Sequence, residues 1–180
     1  HTQPLKGSTL IIDIGGGSTE LVVGHNFSTS LADSLAMGCI SVQKKFFLHG
    51  EITEKSMQEA NNYTVKKLAG VAKRYRESNS QTFIGTSGSI KAISRVMLEL
   101  YGDNQISTKR LELLVTQLIG WQHCNNIPLN SLDEARRPLL ASAVVILSSC
   151  LNELGIKKIN FSSGGLREGV LYDLSQSRTD

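Results

Sequence analysis

The stretch Leu10-Ile-Ile-Asp-Ile-Gly-Gly-Gly-Ser-Thr-Glu-Leu21 decides how this chain reads. Thr9 to Ile14 is a short apolar strand carrying one acid, Asp13, near its end. Gly15, Gly16 and Gly17 then form a turn, because three glycines permit positive φ and leave backbone N–H groups bare. Thr19 to Gly24 resumes an apolar strand, so the two halves predict a hairpin. Bare N–H groups in a glycine turn make a nest for an anion, and the hydroxyls of Ser18 and Thr19 add donors. Asp13 and Glu20 flank that nest. A divalent cation held by the two acids, directly or through water, would neutralise a phosphate seated in the turn. The bland alternative is a tight hairpin with two solvated acids. The strand-end Asp followed by Ser-Thr-Glu weighs against it.

Outward from the hairpin the pattern turns helical. Leu31 to Met37 reads as a third strand and Ser41 to His49 as a short helix bearing Lys44 and Lys45. Thr53 is an N-cap for a helix in which Met57, Ala60, Thr64, Leu68, Val71, Ala72 and Tyr75 recur at three- and four-residue steps. Gln81 to Ile84 is a strand and Gly88 to Tyr101 a helix; Leu111, Leu114, Val115 and Leu118 mark another. Ser131-Leu-Asp-Glu134 has the form of a capping box. Pro138 suits the first turn of a helix from Leu139 to Leu154, apolar nearly all round and so expected at the core. Gly155 stops it. Lys158 to Phe161 is a strand and Leu166 to Leu174 a last helix. The order implies an α/β fold, a mixed sheet covered by helices.

Two strand-to-helix junctions echo each other. Thr86-Ser-Gly-Ser-Ile-Lys91 and Ser162-Ser-Gly-Gly-Leu-Arg167 both follow a strand and open a helix. Small residues there let a helix N-terminus approach an anion. A cation in a first helical turn is disfavoured by ~0.3–1 kcal/mol, and Lys91 and Arg167 repeat that conflict, which a bound anion would resolve. Gly88, Lys91, Gly164, Gly165 and Arg167 are therefore candidate phosphate ligands beside Gly15, Gly16, Gly17, Ser18 and Thr19. Arg136-Arg137-Pro138 shows the same oddity at another helix start. Arg137 joins the candidates, although Asp133 and Glu134 stand close enough to neutralise the pair. Lys66-Lys67 and Lys73-Arg74-Tyr75-Arg76 read as a solvated helix face. His25, His49 and His123 lack metal-ligand spacing, and Cys39 reads as a packed thiol.

Composition narrows the class. The 180 residues are 40% hydrophobic and 19% charged, with a formal charge of +3. That excludes disordered and collagenous chains and is too mild to imply nucleic acid. Three widely spaced cysteines, Cys39, Cys124 and Cys150, exclude a disulfide framework or zinc ribbon and favour a reducing compartment. The run Leu139 to Leu151, broken by serines, is too short to span a bilayer. The chain opens on His1 without Met and closes just after a helix-like stretch, the expectation for a piece of a longer protein.

Four segments carry a family resemblance: Leu10 to Leu21, Met37-Gly-Cys-Ile-Ser41, Gly85-Thr-Ser-Gly-Ser-Ile-Lys91 and Gly164-Gly-Leu-Arg-Glu-Gly-Val-Leu-Tyr172. Together they resemble the exopolyphosphatase and guanosine pentaphosphate phosphohydrolase family, in order over nearly the whole chain. Gly17 and the lead-in His1-Thr-Gln-Pro4 are more similar to the exopolyphosphatase branch. The resemblance implies an actin-like (ribonuclease H-like) ATPase fold, with this chain a single domain, the second of two lobes. The first lobe, with the general base, and a C-terminal helical domain would lie outside it. It implies Mg²⁺, or another divalent ion or K⁺, with Asp13 and Glu20 as metal and catalytic residues. It also implies inorganic polyphosphate or guanosine pentaphosphate as substrate, a cytoplasmic homodimer in the full-length protein, and peripheral association with the inner membrane as the alternative location. A non-catalytic phosphate-binding module and a sugar-kinase or actin-like ATPase lobe are the competing readings.

Overall fold

The computed structural model describes residues 7–25 and 28–163. In chain order it contains β1 (Thr9–Ile14), β2 (Thr19–His25), β3 (Ser28–Leu35), α1 (Cys39–Phe46), α2 (Glu54–Leu68), α3 (Ala72–Glu77), β4 (Thr82–Thr86), α4 (Ser87–Tyr101), β5 (Ile106–Ser107), α5 (Thr108–Trp121), α6 (Leu140–Leu154) and β6 (Lys158–Phe161). Short 3-10 turns lie at Cys124–Asn126 and Arg137–Leu139. The strands form one sheet in the order β3-β2-β1-β4-β6-β5. β1, β2 and β3 are antiparallel neighbours, β1, β4 and β6 run parallel, and β5 closes the edge antiparallel to β6. This is the mixed sheet covered by helices that the sequence implies.

Alternation along β1 sorts the two faces. Leu10, Ile12 and Ile14 are fully buried, as are their neighbours Val23 and Leu21 across the ladder. α4 and α6 pack on β1 from that side. A Cβ on Gly85 would meet Ile90 of α4 at 2.7 Å, so the helix lies directly on the strand there. α6 is the hub, packed against α1, α2, α3, α4 and α5. Burial all round it explains why its sequence lacks a polar face. Fully burying one such Ile or Leu contributes ~1.5–3 kcal/mol. The stretch Arg137–Leu154 is long and apolar enough to cross a membrane by composition, but 67% of it is buried inside the fold. Its hydrophobicity is that of a core helix.

The structure departs from the sequence expectations at identifiable places. The helix expected to run from residue 54 through Tyr75 breaks at 69–71, between α2 and α3. Gly70 is a poor helix former there, and the break lets the Tyr75 hydroxyl reach the Leu21 carbonyl at 2.7 Å and Asp33 at 2.9 Å. The short helical turn expected after Ser131–Glu134 is present, with the Arg136 and Arg137 N–H groups on Asp133 O at 2.9 and 3.1 Å, but Ser131 does not cap it. Instead Glu99 accepts the N–H groups of Asn130 and Ser131 at 3.0 and 2.8 Å, and the chain enters a 3-10 turn before α6. The third strand begins earlier than expected, at Ser28, because β3 follows β2 to its end through a register shift at Val23/Gly24. α1 begins at Cys39 rather than Ser41, with Gly38 as its N-cap. β5, only two residues long, has no periodic signature. The last expected helix, Leu166 to Leu174, lies outside the described residues.

Candidate active site

Asp13 and Glu20 sit directly opposite each other in the β1–β2 register, so their side chains share one face. Since Ile12 and Ile14 face the helices, that face is the one turned away from the described helices. The row extends on both sides. Thr86, in register with Asp13 on β4, donates its hydroxyl to Asp13 Oδ2 at 2.6 Å. Ser34, opposite Glu20 on β3, donates to Glu20 Oε1 at 2.9 Å, and Ser18 donates to the same oxygen at 2.5 Å. Each acid thus has one oxygen tied by hydroxyls, while Asp13 Oδ1 and Glu20 Oε2 have no hydrogen-bond partner among the described residues.

The glycine turn is tight for a reason other than the one the sequence suggested. Gly15, Gly16 and Gly17 are not among the residues with positive φ. α1 abuts the turn at Gly16, where a Cβ would meet Ile40 Cδ1 at 2.9 Å, whereas a Cβ on Gly17 would stand in open space. A Cβ on Gly38 would fall on the backbone of Gly16 and within 2.5 Å of Gly17 N. Cys39 N–H donates to Gly15 O at 2.9 Å, and Ile40 and Ser41 N–H donate to Gly16 O at 2.9 and 3.2 Å. The first N–H groups of α1 therefore end on the turn, which polarises its peptides and strengthens their own N–H donors. The Gly15 N–H closes the turn on Ser18 O at 2.9 Å. The Thr19 hydroxyl is enclosed and donates to Met37 O at 2.6 Å. These two candidates hold the hairpin together, and the N–H groups of Gly16, Gly17 and Ser18 are left to meet an anion.

Beside the turn, the carboxyl end of β4 leads into α4. The parallel registers place this junction, and the chain leaving β6, at the same end of the sheet as the glycine turn. Ser87, the first residue of α4, has φ of +93°, a conformation that side chains disfavour and that clusters at functional sites. Gly88 packs against the guanidinium of Arg136, and a Cβ there would meet Arg136 Cζ at 2.9 Å. Gly88, Lys91, Arg95, Ser131, Asp133 and Arg136 line a cleft of about 300 Å³. Arg95 and Asp133 pair across it at 3.6 Å, leaving the lining cationic. A cavity of about 380 Å³ between α2, α5 and α6 is larger but carries no cation.

Arg137 does not face this cleft. Its guanidinium donates to the carbonyls of Ile127, Leu129 and Leu132, so it holds the loop before α6, and Arg136 is the member of the pair that reaches Gly88. Gly164, Gly165 and Arg167 lie outside the described residues. Ser34 and Arg95 carry no signal in the sequence, whereas Thr86, Gly38 and Arg136 stand inside the quoted motifs without being marked as ligands. Neighbouring residues of a helical turn point in different directions, which separates Arg136 from Arg137, but only the fold says which one turns to the cleft.

The two acids also set what metal the site fits. Among the described residues no group of three or more His, Cys, Asp or Glu could hold an ion, so they form no zinc cage among themselves. Mg²⁺ keeps several waters and is held through one or two carboxylates plus substrate phosphates. Two acids with one open oxygen each, beside an anion nest, fit that ion.

The chain is similar to known proteins over nearly its whole length. The Ppx/GppA phosphatase family model matches residues 1–178. A Haemophilus influenzae protein provisionally named an exopolyphosphatase is 36% identical over 178 residues, covering 98% of this chain and 55% of its own length. A guanosine-5'-triphosphate,3'-diphosphate pyrophosphatase of Pseudoalteromonas translucida is 32% identical over 174 residues, 97% of this chain and 35% of its own length. Among solved structures, a Cytophaga hutchinsonii exopolyphosphatase superposes with a TM-score of 0.80 at 21% identity, over 97% of this chain and 59% of that one. The chain belongs to the Ppx/GppA phosphatase family, and its sheet and helices have the actin-like fold of that family's structures. It spans about half or less of the length of the curated relatives it matches.

Proposed function

We propose that this chain is the second, phosphate-gripping lobe of a phosphoanhydride hydrolase that removes terminal phosphates from inorganic polyphosphate, releasing orthophosphate. The observation that carries the reading is the pairing of Asp13 with Glu20 beside a glycine turn whose Gly16, Gly17 and Ser18 N–H groups point to no described partner. The turn would bind a phosphate and the acids would hold Mg²⁺, which supplies charge neutralisation for the phosphoryl group under attack. Positioning and electrostatics dominate phosphoryl transfer. Glu20, tied by Ser18 and Ser34, keeps a fixed direction, and Arg136 and Lys91 extend the positive lining for further phosphates.

Guanosine pentaphosphate is the second reading, supported by the names of relatives such as the Pseudoalteromonas translucida protein. The cleft with three cations and one acid suits a ligand with several phosphates in line. By resemblance, the general base comes from a preceding lobe and the full-length protein is a cytoplasmic homodimer.

The test is phosphate release by the full-length protein from polyphosphate, guanosine pentaphosphate and ATP, with Mg²⁺ and after chelation. Polyphosphate should be turned over fastest, and Glu20→Gln should lower kcat by at least ~100-fold, the lower end of what a positioned catalytic carboxylate contributes. The 180-residue chain alone should release almost none. Faster release from the nucleotide would favour the second reading. An unchanged kcat in Glu20→Gln, or full activity of the isolated chain, would overturn the first.

A further inference from the structure

The Thr86 hydroxyl occupies an unexpected place. Thr86 is the N-cap residue of α4, where a Thr side chain ordinarily accepts a helix N–H. Here it makes no such bond. Its hydroxyl donates instead to Asp13 Oδ2 at 2.6 Å, across 73 residues of sequence. Thr86 is 2% exposed, and a β-branched side chain is stiff at χ1, so the hydroxyl is held where it is. Capping has been given up for a bond to a carboxylate.

The geometry points to Thr86 as a positioning residue for Asp13: its hydroxyl occupies Oδ2 and leaves Oδ1 as the single oxygen offered to a divalent ion. This rests on the metal reading of Asp13 given above. Outer hydrogen-bond partners of this kind orient metal-binding carboxylates and set their affinity. The same residue begins α4, which carries Gly88 and Lys91 into the cationic cleft. One hydroxyl therefore ties the orientation of the metal-side acid to the placement of the phosphate-side cleft. Ser34 and Ser18 restrain Glu20 in parallel, both through one oxygen.

A structural cap and a positioning hydroxyl make different predictions. Thr86→Val keeps the shape of the side chain and removes only the hydroxyl. No cap bond exists to lose, but the bond to the Asp13 carboxylate is lost, so the thermal midpoint should fall modestly while the protein stays folded at the assay temperature. Mn²⁺ binding to the full-length protein, read by electron paramagnetic resonance without substrate, should weaken by ~10-fold, the lower end for loss of an outer partner. Thr86→Ser should restore it. In turnover of polyphosphate at saturating metal, Thr86→Val should lower kcat and leave KM close to the parent value. Asp13→Asn separates the two ideas. If Asp13→Asn weakens Mn²⁺ binding and Thr86→Val does not, or if Thr86→Ser is as weak as Thr86→Val, the positioning role is overturned while the metal reading stands. If Asp13→Asn binds Mn²⁺ like the parent, the metal reading itself falls and the role of Thr86 falls with it.

Discussion

Arg136 and Arg137 stand side by side in the chain, yet one guanidinium lies against Gly88 and the other is enclosed by the carbonyls of Ile127, Leu129 and Leu132. Their variants should part in the same way. Arg137→Ala removes a charged donor from three carbonyls, and hydrogen bonds to charged groups contribute ~1.5–3 kcal/mol. The urea midpoint of the chain should fall accordingly. Arg136→Ala should leave that midpoint near the parent value and weaken polyphosphate binding several-fold. That loss should shrink at high salt, because screening already weakens the attraction. Equal effects of the two variants on both measurements would contradict the assignment.

At the scale of elements, the contact between α1 and the β1–β2 turn is the tightest joint near the site. Gly38 has no room for a Cβ, whereas a Cβ on Gly17 would meet nothing within 4 Å. Gly38→Ala should therefore push α1 off the turn and destabilise the chain by ~1–3 kcal/mol, the usual range for overpacking. Gly17→Ala should leave the fold intact. Chemical denaturation of both variants measures this, and a Gly38→Ala chain as stable as the parent would show that the helix does not press on the turn. The break between α2 and α3 belongs to the same scale. Helical periodicity continues across Gly70, but the hydroxyl of Tyr75 must reach β2 and Asp33, and burial together with the Asp33 bond pushes its pKa up.

At the scale of the whole molecule, stability should depend on pH through two exposed acids. Ser131, by its side chain and its N–H, together with the Asn130 N–H, holds the Glu99 carboxyl below its ordinary value of 4.5. The Arg110 guanidinium does the same to Asp103, whose ordinary value is 3.8. Both pKa values are lower in the folded state, so on acidification the unfolded chain takes up protons first, and stability rises with pH through that range. The contribution is fully present above the ordinary carboxylate values and is lost as pH falls through the folded ones. Glu99→Gln should flatten part of this slope, measured as the urea midpoint at neutral pH and at a pH below the ordinary carboxylate range. An unchanged slope would remove Glu99 from the account. The Cys150 thiol, pushed up to about 12 by burial, should stay unreactive toward alkylating reagents until the chain unfolds.

Much of the fold was legible along the chain. The hairpin, the acid at the end of its first strand and the acid opening its second, the buried α6 and the glycine that ends it all follow from interactions within a few residues. Strand alternation, helical periodicity and turn chemistry are properties of short segments, so they can be read from short segments. What the tertiary structure decided are the partnerships between distant ones. Thr86 meets Asp13 across 73 residues, Ser34 reaches Glu20 across 14, and Thr19 is taken up by Met37 across 18. Of two adjacent arginines, only Arg136 reaches Gly88. These depend on strand order, on register and on which helix lies over which strand. A slip of one residue in the β1–β4 register would part Thr86 from Asp13, and no local pattern in the sequence states that register.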